Sequence, residues 1–162
     1  DFFAHCGCRL SDHGIEEFYA DEFTLSEVER IFNKVLGGRA LSREEVILFK
    51  SAMLYEGAVM DWEKGWTQQF HYGAMRNNNT RLYKQLGADI GCDSIGDYRA
   101  AHAMSRFFNK LDAEGKLTKT IVYNLHPADN EMVASLLGSF QEGSVAGKMQ
   151  LGAGWWFLES SK

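Results

Sequence analysis

The chain has 162 residues, of which 45% are apolar and 24% charged, the make-up of a globular domain with its own hydrophobic core. Its net charge of -5 gives no electrostatic reason to expect nucleic acid or an anionic membrane as partner, although a local arginine could still hold a small anionic substrate. No apolar run approaches the roughly 18 residues of a membrane span, and the start, Asp1-Phe2-Phe3-Ala4-His5, lacks Met and the basic and apolar regions of a signal peptide. Cys6, Cys8 and Cys92 are an odd set without metal-type spacing, which reads as reduced thiols in a cytoplasmic protein.

In chain order, the first predicted strand is Cys6 to Leu10, ending at Ser11-Asp12-His13. A helix starts near Thr24, where Thr24 and Glu27 form a capping box and Phe23 and Val28 a hydrophobic staple; Leu25, Val28, Ile31, Phe32, Val35 and Leu36 keep the helical period, and Gly37-Gly38 stops it. The same device recurs at Ser42 and Glu45, with Leu41 and Val46 as staple, for a helix running to about Lys64 with Gly65 as its stop. Trp66 to His71 is a short β-type run, and a polar, glycine-rich stretch follows to Gly96. A helix is predicted from about Tyr98 to Ala113, a fully buried strand over Thr120 to Leu125, a helix over Asp129 to Phe140 and a short strand over Lys148 to Leu151, with the lone Pro127 in a loop. No linker, repeat or low-complexity segment divides the chain. Strands separated by helical segments argue for parallel βα units in one domain.

The polar groups fall in a pattern. Asp12 and His13 follow the first strand, His71 ends the second with Arg76 five residues on, the third ends in Asn124 and then His126, and the fourth runs into Trp155-Trp156. A βα barrel builds its active site from the carboxyl ends of several strands, and an open doubly wound sheet uses the same edge. No GxGxxG, P-loop, HExxH or GxSxG motif is present. Each residue also has a plainer reading. Asp12 could cap the next segment, Arg76 could sit in a solvated turn, and Asn77-Asn78-Asn79 could serve unusual backbone angles. The two tryptophans could be packing, with rings on opposite faces of a strand. Cys6 and Cys8, two apart on one strand face, read as packing; His5, His102 and His126 read as structural or surface groups.

Beyond spacing, GWTQQFHYGAMRNNNTR (Gly65 to Arg81) resembles the signature of the uronate isomerases, also called glucuronate isomerases, of the amidohydrolase superfamily of metal-dependent (β/α)8 TIM barrels. In the same order, CRLSDHGIE (Cys8 to Glu16), Asp93-Ser94-Ile95-Gly96-Asp97, KTIVYNLHPADNE (Lys119 to Glu131) and GKMQLGAGWWF (Gly147 to Phe157) resemble further blocks of that family, so the similarity runs over essentially the whole chain. It implies an α/β fold, about four consecutive βα units of a TIM barrel, and the interconversion of D-glucuronate with D-fructuronate and of D-galacturonate with D-tagaturonate. Such an aldose–ketose isomerisation needs a base, an acid and a cationic clamp for the substrate carboxylate.

The resemblance places Asp12, His71 and Arg76 at catalytic positions and Arg76 and Trp155 at substrate-binding ones, with His13 and Asn124 as further substrate-binding candidates. His71 would be a metal ligand or a polariser of substrate oxygens, Asp12 would orient His71 or a substrate hydroxyl, Arg76 would bind carboxylate or hydroxyl oxygens, and Trp155 would wall out water. The implied cofactor is a divalent metal, with zinc expected; the implied partners are a small uronate sugar and, at full length, further copies of the protein. The family's HxH metal pair and TDSR-like segment are absent from these residues. A TIM barrel takes about 250 residues, so the expectation is a middle-to-late section of a barrel, 1–162, with its main metal ligands elsewhere and no complete activity of its own. The competing expectations are a metal-dependent hydrolase of the same superfamily and a non-catalytic binding module built from a barrel section.

Overall fold

The computed structural model describes residues 1–155, so Trp156 lies outside the described residues. In chain order the elements are α1 (Phe2–His5), β1 (Leu10–Ile15), α2 (Leu25–Leu36), α3 (Arg43–Lys64), β2 (Thr67–Tyr72), β3 (Ala74–Met75), α4 (Thr80–Leu86), β4 (Ser94–Ile95), α5 (Ala101–Ala113), β5 (Thr120–Asn124), a 3-10 turn (Pro127–Asp129), α6 (Asn130–Gly138) and β6 (Met149–Leu151). Strands β1, β2, β5 and β6 form one sheet in that order, and β3 and β4 form a separate antiparallel ribbon. The register of β5 on β6, Thr120 opposite Met149 through Val122 opposite Leu151, is parallel. The other rungs run in the same sense: the Thr67 N–H donates to Arg9 and Gly73 to Glu16, while Gln68 donates to Lys119 and Leu125 to Tyr72. Helices between successive sheet strands supply the long crossovers that parallel pairing requires.

The chain divides into two compact units. The first comprises residues 1–11, 18–68 and 100–119 and holds the longer helices. Both predicted capping boxes are present: Thr24 accepts from the Glu27 N–H and Ser42 from the Glu45 N–H, and each glutamate returns to its cap backbone. Gly65 closes α3 in the left-handed conformation, at φ 64°. Helix α2 packs on α3 and α3 on α5. Their shared core contains Ile31, Ala52, Ala58, Met104, Phe107, Phe108 and Leu111, with the Phe18 ring tilted against Phe107 and edge-on to Phe108.

The second unit comprises 12–17, 69–99 and 120 onward, and its core contains Phe70, Tyr72, Ala74, Val122, Leu125, Val133, Leu137 and Met149. Helix α6 packs on β6. In β5 the burial alternates, with Thr120, Val122 and Asn124 buried and Ile121 and Tyr123 half-buried, so the apolar look of TIVYNL conceals two different faces.

Three differences from the sequence reading bear on the site. The first strand begins at Leu10, where Cys6 to Leu10 was expected; Phe2–His5 is a short helix, and Cys6 and Cys8 donate back to Phe2 and Phe3 in the turn that leaves it. Cys6 and Cys8 therefore share no strand face, and Asp12 and His13 lie inside β1 instead of beyond it. The stretch between His71 and Gly96 contains α4 and the β3–β4 ribbon, built by pairings distant in sequence. The helices begin later than predicted, α5 at Ala101 and α6 at Asn130, and Pro127 opens the 3-10 turn.

The second capping box makes a stability prediction. Glu45 accepts from Lys34, from the Ser42 backbone and from Arg30, and these bonds hold its carboxyl down at about 2, from an ordinary value of 4.5. A carboxyl depressed on folding adds stability that is complete above pH 4.5 and is lost as the pH falls toward 2. Glu45→Gln flattens that part of the acid limb in urea titrations. Ser42→Ala lowers stability by about 1 kcal/mol at neutral pH.

Candidate functional site

The site begins with the alternation of β2. Phe70 and Tyr72 are buried, while Gln69 and His71 are half-buried on the opposite face. In β1, His13 faces the core side, where its ring stacks on Phe70 at 5.4 Å, so its neighbour Asp12 points the other way, toward His71. Asp12 Oδ1 lies 2.6 Å from His71 Nδ1. A carboxylate only accepts, so this contact puts a proton on Nδ1 and selects the tautomer whose lone pair is on Nε2 for the neutral ring. Asp12 is 53% exposed and His71 20%, so the pair sits at an accessible surface with the ring largely covered.

The cover is aromatic. Tyr123 stacks on His71 with centroids 4.3 Å apart and planes 3° from parallel, and Trp155 meets the ring edge-on at 4.8 Å. The Tyr123 hydroxyl donates to Gln69 Oε1 at 2.9 Å. Of the residues singled out in the sequence, Asp12, His71 and Trp155 come together. Tyr123 and Gln69 join them without having been singled out. The signal was available: Gln69 with His71, and Ile121 with Tyr123, are i, i+2 pairs on neighbouring strands.

Arg76 is placed by a turn. Gly73, at φ 104°, with its would-be Cβ 3.4 Å from Leu125 Cβ, leads β2 into the β3–β4 ribbon, and the Gly96 N–H donates back to Gly73. Arg76 Nη1 donates to Asp93 Oδ2 at 3.3 Å and lies 3.9 Å from Asp89. Asp93 Oδ1 accepts the Asn77 N–H at 2.9 Å. Asn77 adopts φ 56°, the Asn78 amide donates to the Met75 carbonyl and to Ser94, and Asn79 caps α4 by accepting from Leu82. The asparagine triplet thus has a backbone task at every position, the plainer reading of that run. Beside it lies an open depression of about 610 Å³ lined by Met75, Asn78, Asn79, Thr80, Cys92, Asp93 and Ser94.

The remaining candidates lie away from the Asp12–His71 contact. Asn124 is buried on the α6 side and donates to the His126 carbonyl and to Asn130 Oδ1. His13 faces the core side of the sheet, away from the Asp12–His71 contact. His126 accepts from the Ala128 N–H and caps the 3-10 turn, while His5 and His102 are exposed. Tyr72 donates to Asp129; burial, then the facing carboxylate, push its phenol well above the usual range and keep it a neutral donor.

Among the described residues no group of three His, Cys, Asp or Glu side chains could hold a metal ion. His71 with Asp12 behind it has the form of one ligand backed by an orienting carboxylate. One imidazole is not a metal centre, since even a catalytic zinc takes three protein ligands.

A parallel sheet crossed by helices, with a His–Asp pair and aromatic walls toward its carboxyl edge, defines a section of a βα enzyme scaffold. The family model for glucuronate isomerase matches residues 1–162, and the chain belongs to that family. It is 64% identical over 159 residues to a uronate isomerase of Bacteroides thetaiotaomicron, covering 98% of this chain and 34% of the relative, and 53% identical to one of Cellvibrio japonicus with the same coverage. The crystal structure of uronate isomerase from Thermotoga maritima superposes with a TM-score of 0.87 at 30% identity, over 98% of this chain and 33% of that one. The crystal structure of glucuronate isomerase from Caulobacter crescentus gives 0.81 at 28% identity, over 96% and 31%. The chain spans about a third of the length of the curated relatives it matches, and its fold is a section of the family's TIM barrel.

The turn is directly testable. The Asp93 side chain is only 10% exposed and serves both the Asn77 N–H and Arg76. Asp93→Ala lowers stability by about 1–3 kcal/mol by removing a part-buried acceptor from two donors. Urea denaturation measures the loss, and amide exchange at Asn77 rises with it.

Proposed function

We propose that the protein carrying this chain is an aldose–ketose isomerase that interconverts D-glucuronate with D-fructuronate and D-galacturonate with D-tagaturonate. Membership of the family supports the reaction class. The observation that carries this chain's part in it is the 2.6 Å contact from Asp12 to His71 on the open face of the sheet, edged by Trp155.

The chemistry moves a proton between adjacent carbons and lets charge develop on the carbonyl oxygen. Asp12 holds the Nδ1 proton and so aims Nε2 of His71 at a substrate oxygen, at a proton in transit or at the metal. Trp155 and Tyr123 limit water around that nitrogen, which strengthens each polar contact it makes. Arg76, with five N–H donors in a planar fork, is suited to a sugar carboxylate or hydroxyl while retaining its Asp93 contact. We assign Asn124 and His13 to framing the site instead of binding substrate, because both lie on the core side of the sheet. A divalent metal, zinc by expectation, is part of the proposal. His71 would offer it one imidazole, and its other ligands would have to come from outside the described residues.

No helix among the described residues is long and apolar enough to cross a membrane. A cytoplasmic setting, in which three thiols stay reduced, is part of the same proposal.

The test is an assay of the full-length protein on D-glucuronate and D-galacturonate, following the ketose, with ester hydrolysis run in parallel. Ketose formation is expected. Ester hydrolysis without it would overturn the assignment. Asp12→Asn, which keeps the shape and removes the charge behind His71, lowers kcat by ~10–100-fold.

A further inference from the structure

The geometry points to Tyr123 as a positioning residue that sets the plane of the His71 ring, with Gly152 making room for it. The hydrogen bond from His71 to Asp12 restrains the imidazole at one atom, Nδ1, through a carboxylate that is itself half exposed, and the χ2 torsion of histidine is broad. The aim of Nε2 therefore needs a second restraint. Tyr123 supplies it by lying flat on the imidazole, 4.3 Å away and 3° from parallel.

Tyr123 is in turn held at both ends. Its hydroxyl donates to Gln69, two residues before His71 on the same face of the same strand, so the two rings share one support. Its ring lies against Gly152: a Cβ there would stand 2.2 Å from Cδ1 and 2.3 Å from Cε1. Gly152 cannot retreat without losing its N–H bond to the Val122 carbonyl at 2.8 Å, made to the strand that carries Tyr123. The need for glycine here is one of space, because Gly152 is not among the positive-φ residues.

The proposal rests on His71 acting in the reaction. It is tested in the full-length protein with Tyr123→Leu, Tyr123→Phe, Gly152→Ala and His71→Ala, measuring kcat and KM on D-glucuronate and the thermal midpoint of each. Tyr123→Leu and Gly152→Ala are expected to lower kcat by ~10–100-fold. Their KM values should stay within about threefold, the mark of an interaction expressed in the transition state. Tyr123→Phe, which keeps the flat ring, recovers most of the lost rate. Combining Tyr123→Leu with Asp12→Asn loses less than the product of the single losses, because both act through one imidazole.

Full turnover in both Tyr123→Leu and Gly152→Ala would sink the proposal, as would a rise in KM at unchanged kcat. If Tyr123→Leu does not fold, Gly152→Ala decides, since it displaces the ring with Tyr123 intact. A Tyr123→Phe rate as low as that of Gly152→Ala would assign the effect to the hydroxyl and overturn the role given to the ring. His71→Ala with normal turnover overturns the functional reading of His71 itself. An inactive His71→Ala beside fully active Tyr123 and Gly152 variants removes only this inference.

Discussion

The constraint on which the site depends is that β2 serves two faces at once. It is an inner strand of the sheet, with β1 on one side and β5 on the other. Its backbone groups are committed to those neighbours, so it can reach the core and the site only through side-chain alternation. Phe70 and Tyr72 fill the core while Gln69 and His71 face the other way. A slip of one residue would bury His71 among apolar side chains and bring Phe70 into the site. Core packing and the placing of His71 are thus one requirement, met along six residues.

The same alternation explains why neighbours in sequence have different tasks. Ser11 donates to Asp61 of α3, Asp12 holds His71, and His13 stacks on Phe70. Asn124 ends β5 on the core side and fixes the following loop, while Tyr123 beside it faces the site. The parity of each position decides which side of the sheet its side chain faces.

Much of the fold was legible because its signals are local. Two capping boxes bracketed α2 and α3, and the apolar run of β5 stood out. The first strand was not, because it is held by backbone pairing to β2 and carries the polar run Ser11-Asp12-His13-Gly14, while the apolar residues before it turn back as a short helix. The β3–β4 ribbon has two residues in each strand and depends on partners such as Gly73 and Gly96, distant in the chain. Of the residues that the resemblance pointed to, Asp12, His71 and Trp155 lie together, while Arg76 belongs to the turn that follows. Tyr123 is easily passed over because TIVYNL looks uniformly buried, although strand alternation puts it with Ile121 on the face that the burial of β5 shows to be half-covered.

His71 and Arg76 lie five residues apart but are placed by different physics. His71 belongs to a sheet whose register is fixed by a packed core, and small displacements there meet resistance from Phe70 and Tyr72 beneath it. Arg76 belongs to a turn held by side chain to backbone hydrogen bonds from Asn78, Asn79 and Asp93, with Asn77 in the left-handed region. The run QQFHYGAMRNNN therefore divides at Gly73, where the backbone turns out of the sheet: its first half is held by strand pairing over a packed core, its second by side-chain hydrogen bonds.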